Sequence, residues 1–189
     1  MGMDCPKCDP SPNAARKAEA FTLIEPLVVI AIIAILAGLA FPAVQSALGS
    51  GKKAQARNDV NQLVAAITAY RTEYGKLPFP STTSGSDAVS ADNATIISAL
   101  TTTNPALNPR GIVFFEPRKT KTGKAGLVGS VFKDPWGEDY VFTLDTDYNG
   151  RIIADVGTGS KEYFTTVIVQ SAGPDKKLAP ATDNISNVE

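Results

Sequence analysis

The feature that most constrains this chain of 189 residues is a long apolar run near its N-terminus. Residues 27–44 carry no charged side chain, and at about 1.5 Å per helical residue the run approaches the roughly 30 Å thickness of a hydrocarbon core. An acid, Glu25, and a proline, Pro26, stand immediately before it. A charge at this position costs about 3 kcal/mol, which predicts that Glu25 has a functional reason to be there.

Composition excludes several classes of function. A formal charge of −1 shows none of the basic excess that nucleic-acid binding requires. The absence of histidine excludes a Ser-His-Asp triad, a Cys-His nucleophile and a histidine-ligated metal. The sequence also lacks a nucleophile motif and a phosphate-binding loop, which predicts a protein that is not an enzyme. Its length suits one modest domain plus a membrane segment.

The two cysteines, Cys5 and Cys8, both precede the apolar run. Their CPKC spacing suits metal ligation, but a structural zinc site needs four ligands, and the chain has no further cysteine or histidine. An incidental pair, or a pair used between molecules, is therefore favoured over a zinc site built by one chain. The region after the run can form no disulfide, so core packing, neighbouring subunits or a metal must hold it together.

Residues 1–20 are typical of a targeting segment rather than of folded structure. Prolines, a glycine, mixed charge and few apolar residues leave this segment too little surface to bury. Lys7, Arg16 and Lys17 precede the run, and by the positive-inside rule they favour a cytoplasmic location for this end. Three basic residues on the far flank, within 52–57, weaken that assignment.

The order of features at this end is the reverse of an ordinary secretory signal, in which a small-residue cleavage site follows the apolar core. Here a small residue, Ala20, stands before the run. The sequence FTLIE at 21–25, the unbroken apolar stretch and the pair Phe41-Pro42 together resemble the N-terminal signature of type IV pilins and type II secretion pseudopilins.

The resemblance implies how this end is processed and used. In that family a membrane-embedded prepilin peptidase cuts before the phenylalanine on the cytoplasmic side and methylates the new amine. The matching residues are Ala20 at the cut, Phe21 as the methylated first residue and Glu25 as the acid. When apolar helices bundle, Glu25 of one subunit can meet the Phe21 amine of its neighbour, which avoids most of the cost of an isolated buried charge. The plainer alternative is that Glu25 only reaches the lipid interface.

Two residues depart from the family pattern. Ala20 stands where glycine is usual, and Pro26 stands where a leucine-like residue is usual. A proline this close to a helix start loses at most one backbone hydrogen bond, so its cost falls well below that of a proline in mid-helix. It can still bend the tip that carries Glu25.

Beyond the run the helix is expected to continue until Gly75 and Pro78 end it. Its apolar residues recur at spacings of three and four and form one stripe: Val60, Leu63, Val64, Ile67, Tyr70 and Tyr74. A loop-rich section at 80–111 holds one short helix candidate, Asp92 to Leu100. Strand signals follow in GIVFFEP, GLVGSVFKD, DYVFTLD, GRIIADV and YFTTVIVQ. This order predicts an α+β fold in which the helix covers one face of a small antiparallel sheet.

The predicted organisation has four parts. Residues 1–20 form a leader, 21–44 the transmembrane and assembly half of the helix, 45–75 its amphipathic half, and 76–189 a globular head. By the resemblance, the leader is removed from a single-pass bacterial inner-membrane protein whose N-terminus is cytoplasmic and whose head is periplasmic.

The first of two candidate calcium segments is DTDYNGRIIAD. Asp145, Asp147 and Asn149 alternate there and Gly150 follows, as in a calcium-binding loop, but Val156 occupies the place of the closing glutamate. A hairpin turn in which the Asn-Gly pair supplies positive φ is therefore the preferred interpretation of this segment.

The second candidate is the C-terminal SAGPDKKLAPATDNISN, which resembles the closing segment of major pseudopilins, where acids and backbone carbonyls bind calcium. The matching residues are Asp175 and Asp183, with Asn184 where a second acid often stands, and the missing charge would weaken binding. The alternative is an ordinary turn at Asp175 after Pro174, and the two interpretations are evenly balanced. DPWGEDY at 134–140 also resembles a pseudopilin segment that leads into the sheet.

Together these features predict a structural subunit of a type II secretion pseudopilus, closest to the major pseudopilin, that assembles into a helical filament. The implied partners are the prepilin peptidase, copies of the chain, other pseudopilins and an inner-membrane assembly platform, and no nucleic acid is expected. One alternative is a type IV pilin that forms surface fibres for adhesion, motility or DNA uptake. The lack of cysteines after residue 8 counts against it. Another is a membrane-anchored binding domain that keeps its leader and does not assemble.

Overall fold

A computed structural model of the chain describes residues 23–79, 89–119, 123–156, 159–178 and 183–188. The elements in chain order are α1 (Ile24–Tyr74), β1 (Val89–Ala91), α2 (Asn93–Leu100), β2 (Gly126–Val128), β3 (Val131–Lys133), β4 (Val141–Leu144), β5 (Ile152–Asp155), β6 (Ser160–Tyr163), β7 (Val167–Ser171) and β8 (Ile185–Ser186). One long helix followed by short antiparallel strands confirms the predicted α+β class. The chain divides into two compact units, one ending at Val44 and the other beginning at Gln45.

In the first unit, helix α1 is apolar on every side. None of its apolar window is buried, and the helix is long and apolar enough to cross a membrane. Its large side chains are about half or more exposed, with Ile24 at 67% and Phe41 at 68%. Because exposed apolar surface is unfavourable in water, this half of α1 requires lipid or other helices around it.

In the second unit, α1 becomes amphipathic as the sequence predicts. Val60, Leu63, Ile67 and Tyr70 are at most 1% exposed, and the stripe's two remaining residues, Val64 and Tyr74, pack against the same core half-buried. The helix ends as predicted at Gly75, whose φ of +68° suits glycine and whose N–H donates to the Arg71 carbonyl at 2.8 Å.

The predicted short helix is also confirmed as α2. Asp92 is its N-cap and accepts a hydrogen bond from the Thr95 N–H at 3.0 Å. Ile96, Ile97 and Leu100 are buried from this helix into the main core.

The strands form three antiparallel sheets, where the sequence predicts one. The largest has the order β1-β4-β7-β8, and the hairpins β2-β3 and β5-β6 stand apart from it. The segment GIVFFEP forms no strand, because the N–H groups of Phe114 and Phe115 both donate to the Leu100 carbonyl at the end of α2. The sequence also does not predict β1, which lies in the section expected to be loop-rich, or the short strands β6 and β8. Strand β6 leaves no hydropathy signal because three of its four residues are exposed and polar.

Strand β7 marks the centre of the head, since all five of its residues are buried. Val167 and Val169 belong to the main core, together with the stripe of α1 and residues of α2 and β4. Ile168 faces the other way and packs with Ile152 and Tyr163 of the β5-β6 hairpin. The large sheet is therefore covered on both faces, which explains the continuous apolar character of β7.

Candidate functional site

Of the N-terminal candidates, Glu25 lies among the described residues, whereas Ala20 and Phe21 lie outside them. Glu25 occupies the first turn of α1 and is exposed. A carboxylate is favoured at a helix N-terminus by the helix dipole. The next charged residue along α1 is Lys52, so the acid stands alone at the start of an uncharged surface.

No salt bridge to Glu25 occurs within the part of the chain that the structure describes. The carboxylate is therefore open to a cation from another molecule. Since the surrounding helix surface is apolar, such a pair would form in a low-dielectric environment, where it is most sensitive to geometry.

The C-terminal candidates are brought together by close backbone packing. Asp175 lies in a turn that starts at Gly173, whose φ is +73°. A Cβ at Gly173 would overlap the Asp183 carbonyl and lie 3.3 Å from the Asp183 Cγ. The turn that carries Asp175 and the segment that carries Asp183 are thus in contact.

The side-chain oxygens of this C-terminal loop, on Asp175, Asp183 and Asn184, differ in burial and in hydrogen bonding. The Oδ1 atoms of Asp183 and Asn184 are buried and have no hydrogen-bond partner in the described ranges, while the Asn184 amide donates to the Leu178 carbonyl at 3.2 Å. Unpaired buried oxygens cost about 1–3 kcal/mol each and are the ligands that calcium prefers. Asp175 is exposed, and its Oδ1 accepts the Lys177 N–H at 2.9 Å. Asp183 and Asn184 therefore fit a cation better than Asp175 does.

The DPWGEDY segment fastens this loop to the head. Asp134 is fully buried and accepts a hydrogen bond from the Ser171 hydroxyl at 2.6 Å, and the same hydroxyl oxygen accepts the Gly173 N–H at 3.1 Å. On the surface, Lys176 pairs with Glu138 at 3.1 Å. The two segments that resemble pseudopilins thus hold each other in place.

Two cations lie beside the same loop. Lys53 and Arg57 of α1 line a cavity of about 410 Å³ together with Asp183 and Asn184. The charges of Lys53 and Arg57 oppose cation binding at the side-chain oxygens of Asp183 and Asn184. Calcium would bind there more tightly when the two basic side chains extend away from these oxygens.

The weaker candidate, Asp145 with Asp147 and Asn149, uses its oxygens internally. Asp145 is 1% exposed and accepts the N–H groups of Asn149 and Gly150 at 3.1 and 2.9 Å. Asp147 accepts the Asn149 N–H at 3.1 Å and its side-chain amide at 2.6 Å. Burial and the nearby Asp147 raise the pKa of Asp145. The loop is thus held by its own hydrogen bonds.

The prediction of a hairpin turn at the loop with Asp145, Asp147 and Asn149 is wrong. This loop joins β4 to β5, and these two strands belong to different sheets. Positive φ occurs at Tyr148 (59°) and Gly150 (80°) and not at Asn149.

One buried network was not predicted from the sequence. Asp59, 6% exposed on α1, pairs with Arg118 and accepts the Tyr140 hydroxyl at 2.8 Å. Burial and the carboxylate of Asp59 raise the pKa of Tyr140, so its hydroxyl stays a donor. The available signal was an acid directly beside Val60 on the apolar stripe, a position that requires partners.

Comparisons with known proteins agree on one family. Residues 15–41 match the family model described as the prokaryotic N-terminal methylation motif. Type II secretion system core protein G of Vibrio cholerae serotype O1 is 30% identical over 150 residues, which covers 78% of this chain and 85% of that protein. The protein of the same name from Aeromonas hydrophila is 30% identical, covering 79% and 97%. That of Pseudomonas aeruginosa is 29% identical, covering 78% and 88%. No solved structure gives a significant match.

Proposed function

This chain belongs to the family of type II secretion system core protein G, and we infer from that membership that it is a structural subunit of a type II secretion pseudopilus. The observation that carries the inference is Glu25, an isolated carboxylate in the first turn of a helix whose apolar window is nowhere buried. Such a helix needs lipid or other helices as its surroundings. A subunit that moves from a membrane into a filament has both.

During assembly, the charge of Glu25 would fix the register between neighbouring subunits. The carboxylate of one subunit would pair with the Phe21 amine of a neighbour, in a bundle of apolar helices. A buried ion pair adds little net stability over an apolar contact, but it fixes register, because an unpaired charge in the bundle is costly. Heads of copies of this chain and of other pseudopilins would pack in a heterologous contact that does not close, which generates a filament.

Processing is proposed to precede assembly. A prepilin peptidase would cut between Ala20 and Phe21 and methylate the new amine, and the match to the N-terminal methylation motif supports this step. Before assembly, α1 would cross the bacterial inner membrane once, with a cytoplasmic N-terminus and a periplasmic head. An inner-membrane assembly platform would then draw the subunit into the fibre. No residue is assigned a catalytic role, and no nucleic acid takes part.

The test of this assembly role is a pair of substitutions at Glu25. Glu25→Gln keeps the shape and removes the charge, whereas Glu25→Asp keeps the charge on a shorter side chain. Sheared filaments and the membrane fraction would be quantified in cells that express each variant. We expect Glu25→Gln to lower filament yield at least about tenfold, because breaking a buried pair costs about 3–5 kcal/mol. Glu25→Asp should retain more filament, and both variants should remain in the membrane.

Normal filaments from the Glu25→Gln variant would refute the role of the charge pair. Absence of filaments even from the unsubstituted chain, with normal membrane anchoring, would favour the non-assembling anchor. Fibres on the cell surface that do not depend on secretion genes would favour a type IV pilin.

We also propose a calcium ion at the C-terminal loop, held by the side-chain oxygens of Asp183 and Asn184, with Asp175 in the adjoining turn. The assignment is supported by the Oδ1 atoms of Asp183 and Asn184, which are buried and accept no hydrogen bond from any described residue. The ion would neutralise Asp183 and fix the loop that Asp134 and Ser171 anchor from the other side. In a head without a cysteine, such a fastening takes the place of a disulfide.

The calcium proposal is tested by thermal unfolding, followed through the fluorescence of Trp136, the only tryptophan. Calcium at a hundred times its Kd would stabilise the chain by about 2.7 kcal/mol relative to excess chelator. Asp183→Asn should remove most of this gain, and Asp147→Asn should leave it intact. A gain that Asp147→Asn abolishes would move the ion to the β4–β5 loop, and no gain in the unsubstituted chain would refute the site.

A further inference from the structure

A polar face of α1 forms one wall of a cavity, and residues near the C-terminus form the other. The α1 residues are Ser50, Lys53, Ala54 and Arg57, and the opposite wall consists of Asp183, Asn184 and Ile185. Lys53, Ala54 and Arg57 follow Ser50 at intervals of three, four and seven, so the four residues share one side of the helix. The cavity measures about 410 Å³, and we refer to it as the juxtamembrane cavity.

Among the residues that the structure describes, those lining the juxtamembrane cavity carry a net positive charge. Lys53 and Arg57 make no salt bridge or hydrogen bond to any residue that the structure describes. Asp183 is the one acid among the described lining residues. Two cations that have no partner in the described ranges, set against one carboxylate, favour an anionic ligand, and calcium bound at Asp183 would make the cavity more positive still. The hydroxyl of Ser50 adds a neutral donor.

The position of the cavity along the chain, directly after the apolar run, indicates a membrane lipid as the source of an anionic ligand. Leu48, 59% exposed, is the last large apolar residue before the cavity, and Ser50 follows it by two positions. The first charge after the apolar run is Lys52. Basic side chains directly after a membrane span lie near the lipid phosphates, to which their long stems can reach.

We propose that the juxtamembrane cavity binds the phosphate of an anionic membrane phospholipid through Lys53 and Arg57. The lipid would hold the head of an unassembled subunit at the membrane surface, and it would be released when the subunit leaves the membrane. This inference rests on the proposed membrane location of α1. It does not rest on filament formation, which occurs after the lipid is released.

The test uses the full-length chain in lipid nanodiscs of phosphatidylcholine with a minor fraction of phosphatidylglycerol. Native mass spectrometry measures the fraction of chains that retain one phosphatidylglycerol molecule. Lys53→Ala and Arg57→Ala should each lower that fraction at least about fivefold, because each removes a charge-assisted hydrogen bond to the phosphate. Lys52→Ala is the matched control, because it removes the same charge from the neighbouring position outside the cavity. It leaves both proposed phosphate contacts in place, and a screened charge without direct contact contributes little, so retention should change by less than about twofold.

Several outcomes would overturn the proposal. Equal losses from Lys52→Ala and Lys53→Ala would mean a diffuse attraction without a site. Loss of retention on calcium chelation would mean that the ion, and not the two cations, holds the lipid. Displacement by an equal concentration of inorganic phosphate would identify free phosphate as the ligand. Failure of the chain to enter nanodiscs at all would instead contradict the proposed membrane location, and it is scored separately from lipid retention.

Discussion

The buried acid Asp59 links α1 to two residues of the head that lie far from it in sequence, Arg118 and Tyr140. It accepts the Tyr140 hydroxyl and pairs with Arg118, whose guanidinium lies 5.4 Å from the centre of the Phe132 ring. A buried carboxylate without partners would be costly, so each donor contributes by removing that penalty. The sequence predicts a helix face at this point, but the partners are 59 and 81 positions away and only the fold brings them to the acid.

Removing one of the two donors to Asp59 should destabilise the head. Tyr140→Phe should lower the free energy of unfolding by about 1–3 kcal/mol, because Asp59 then loses a hydrogen bond inside the core. Tyr163→Phe is the matched control, since the hydroxyl of Tyr163 is buried and has no partner among the described residues. That control should be neutral or slightly stabilising. Urea unfolding followed through Trp136 measures both, and equal costs would contradict the role given to Asp59.

The sequence predicts the secondary-structure elements that depend on local spacing. It does not predict those that depend on tertiary contacts. The stripe on α1 and the N-cap of α2 depend on local spacing, and both are confirmed. Strand β6 has three exposed polar residues, so its pairing with β5 leaves little trace in hydropathy. The segment GIVFFEP has a strand-like composition, but α2 accepts its amide groups and no strand forms.

The same division holds for the candidate sites. Glu25, Asp175 and Asp183 can be proposed from sequence because their motifs are local. In the part of the chain that the structure describes, the Asp183 Oδ1 atom has no hydrogen-bond partner, and Lys53 and Arg57 line the same cavity as Asp183. Both features depend on the position of residues 183–185 beside α1, which sequence spacing alone does not encode.

The C-terminal turn needs glycine at position 173, both for its backbone angle and for the space around it. Gly173→Ala should destabilise the head by several kcal/mol, because the added Cβ meets the Asp183 carbonyl and φ is +73°. Gly129→Ala has a comparable φ of +65° and open space around the added Cβ, so it should cost only about 1–2 kcal/mol. Urea unfolding separates the two. Equal costs would show that the turn and the last segment are not packed as tightly as the backbone contact indicates.

At the scale of the whole molecule, the chain combines two kinds of surface. The N-terminal half of α1 exposes apolar side chains all round, whereas its continuation buries one stripe in the head's core. The first surface suits lipid and other apolar helices, and the second suits an independently packed domain. A helix of this kind lets a subunit change its surroundings without unfolding its head, which is the property that a filament subunit stored in a membrane requires.

The intact mass of the protein extracted from its native membrane decides whether the leader is removed. If the peptidase processes this chain, the mass corresponds to a chain that begins at Phe21, carries one added methyl group and contains no cysteine. A full-length mass, with Cys5 and Cys8 still attached, would contradict the proposed ion pair, because an uncleaved leader leaves no amine at Phe21 for Glu25 to meet.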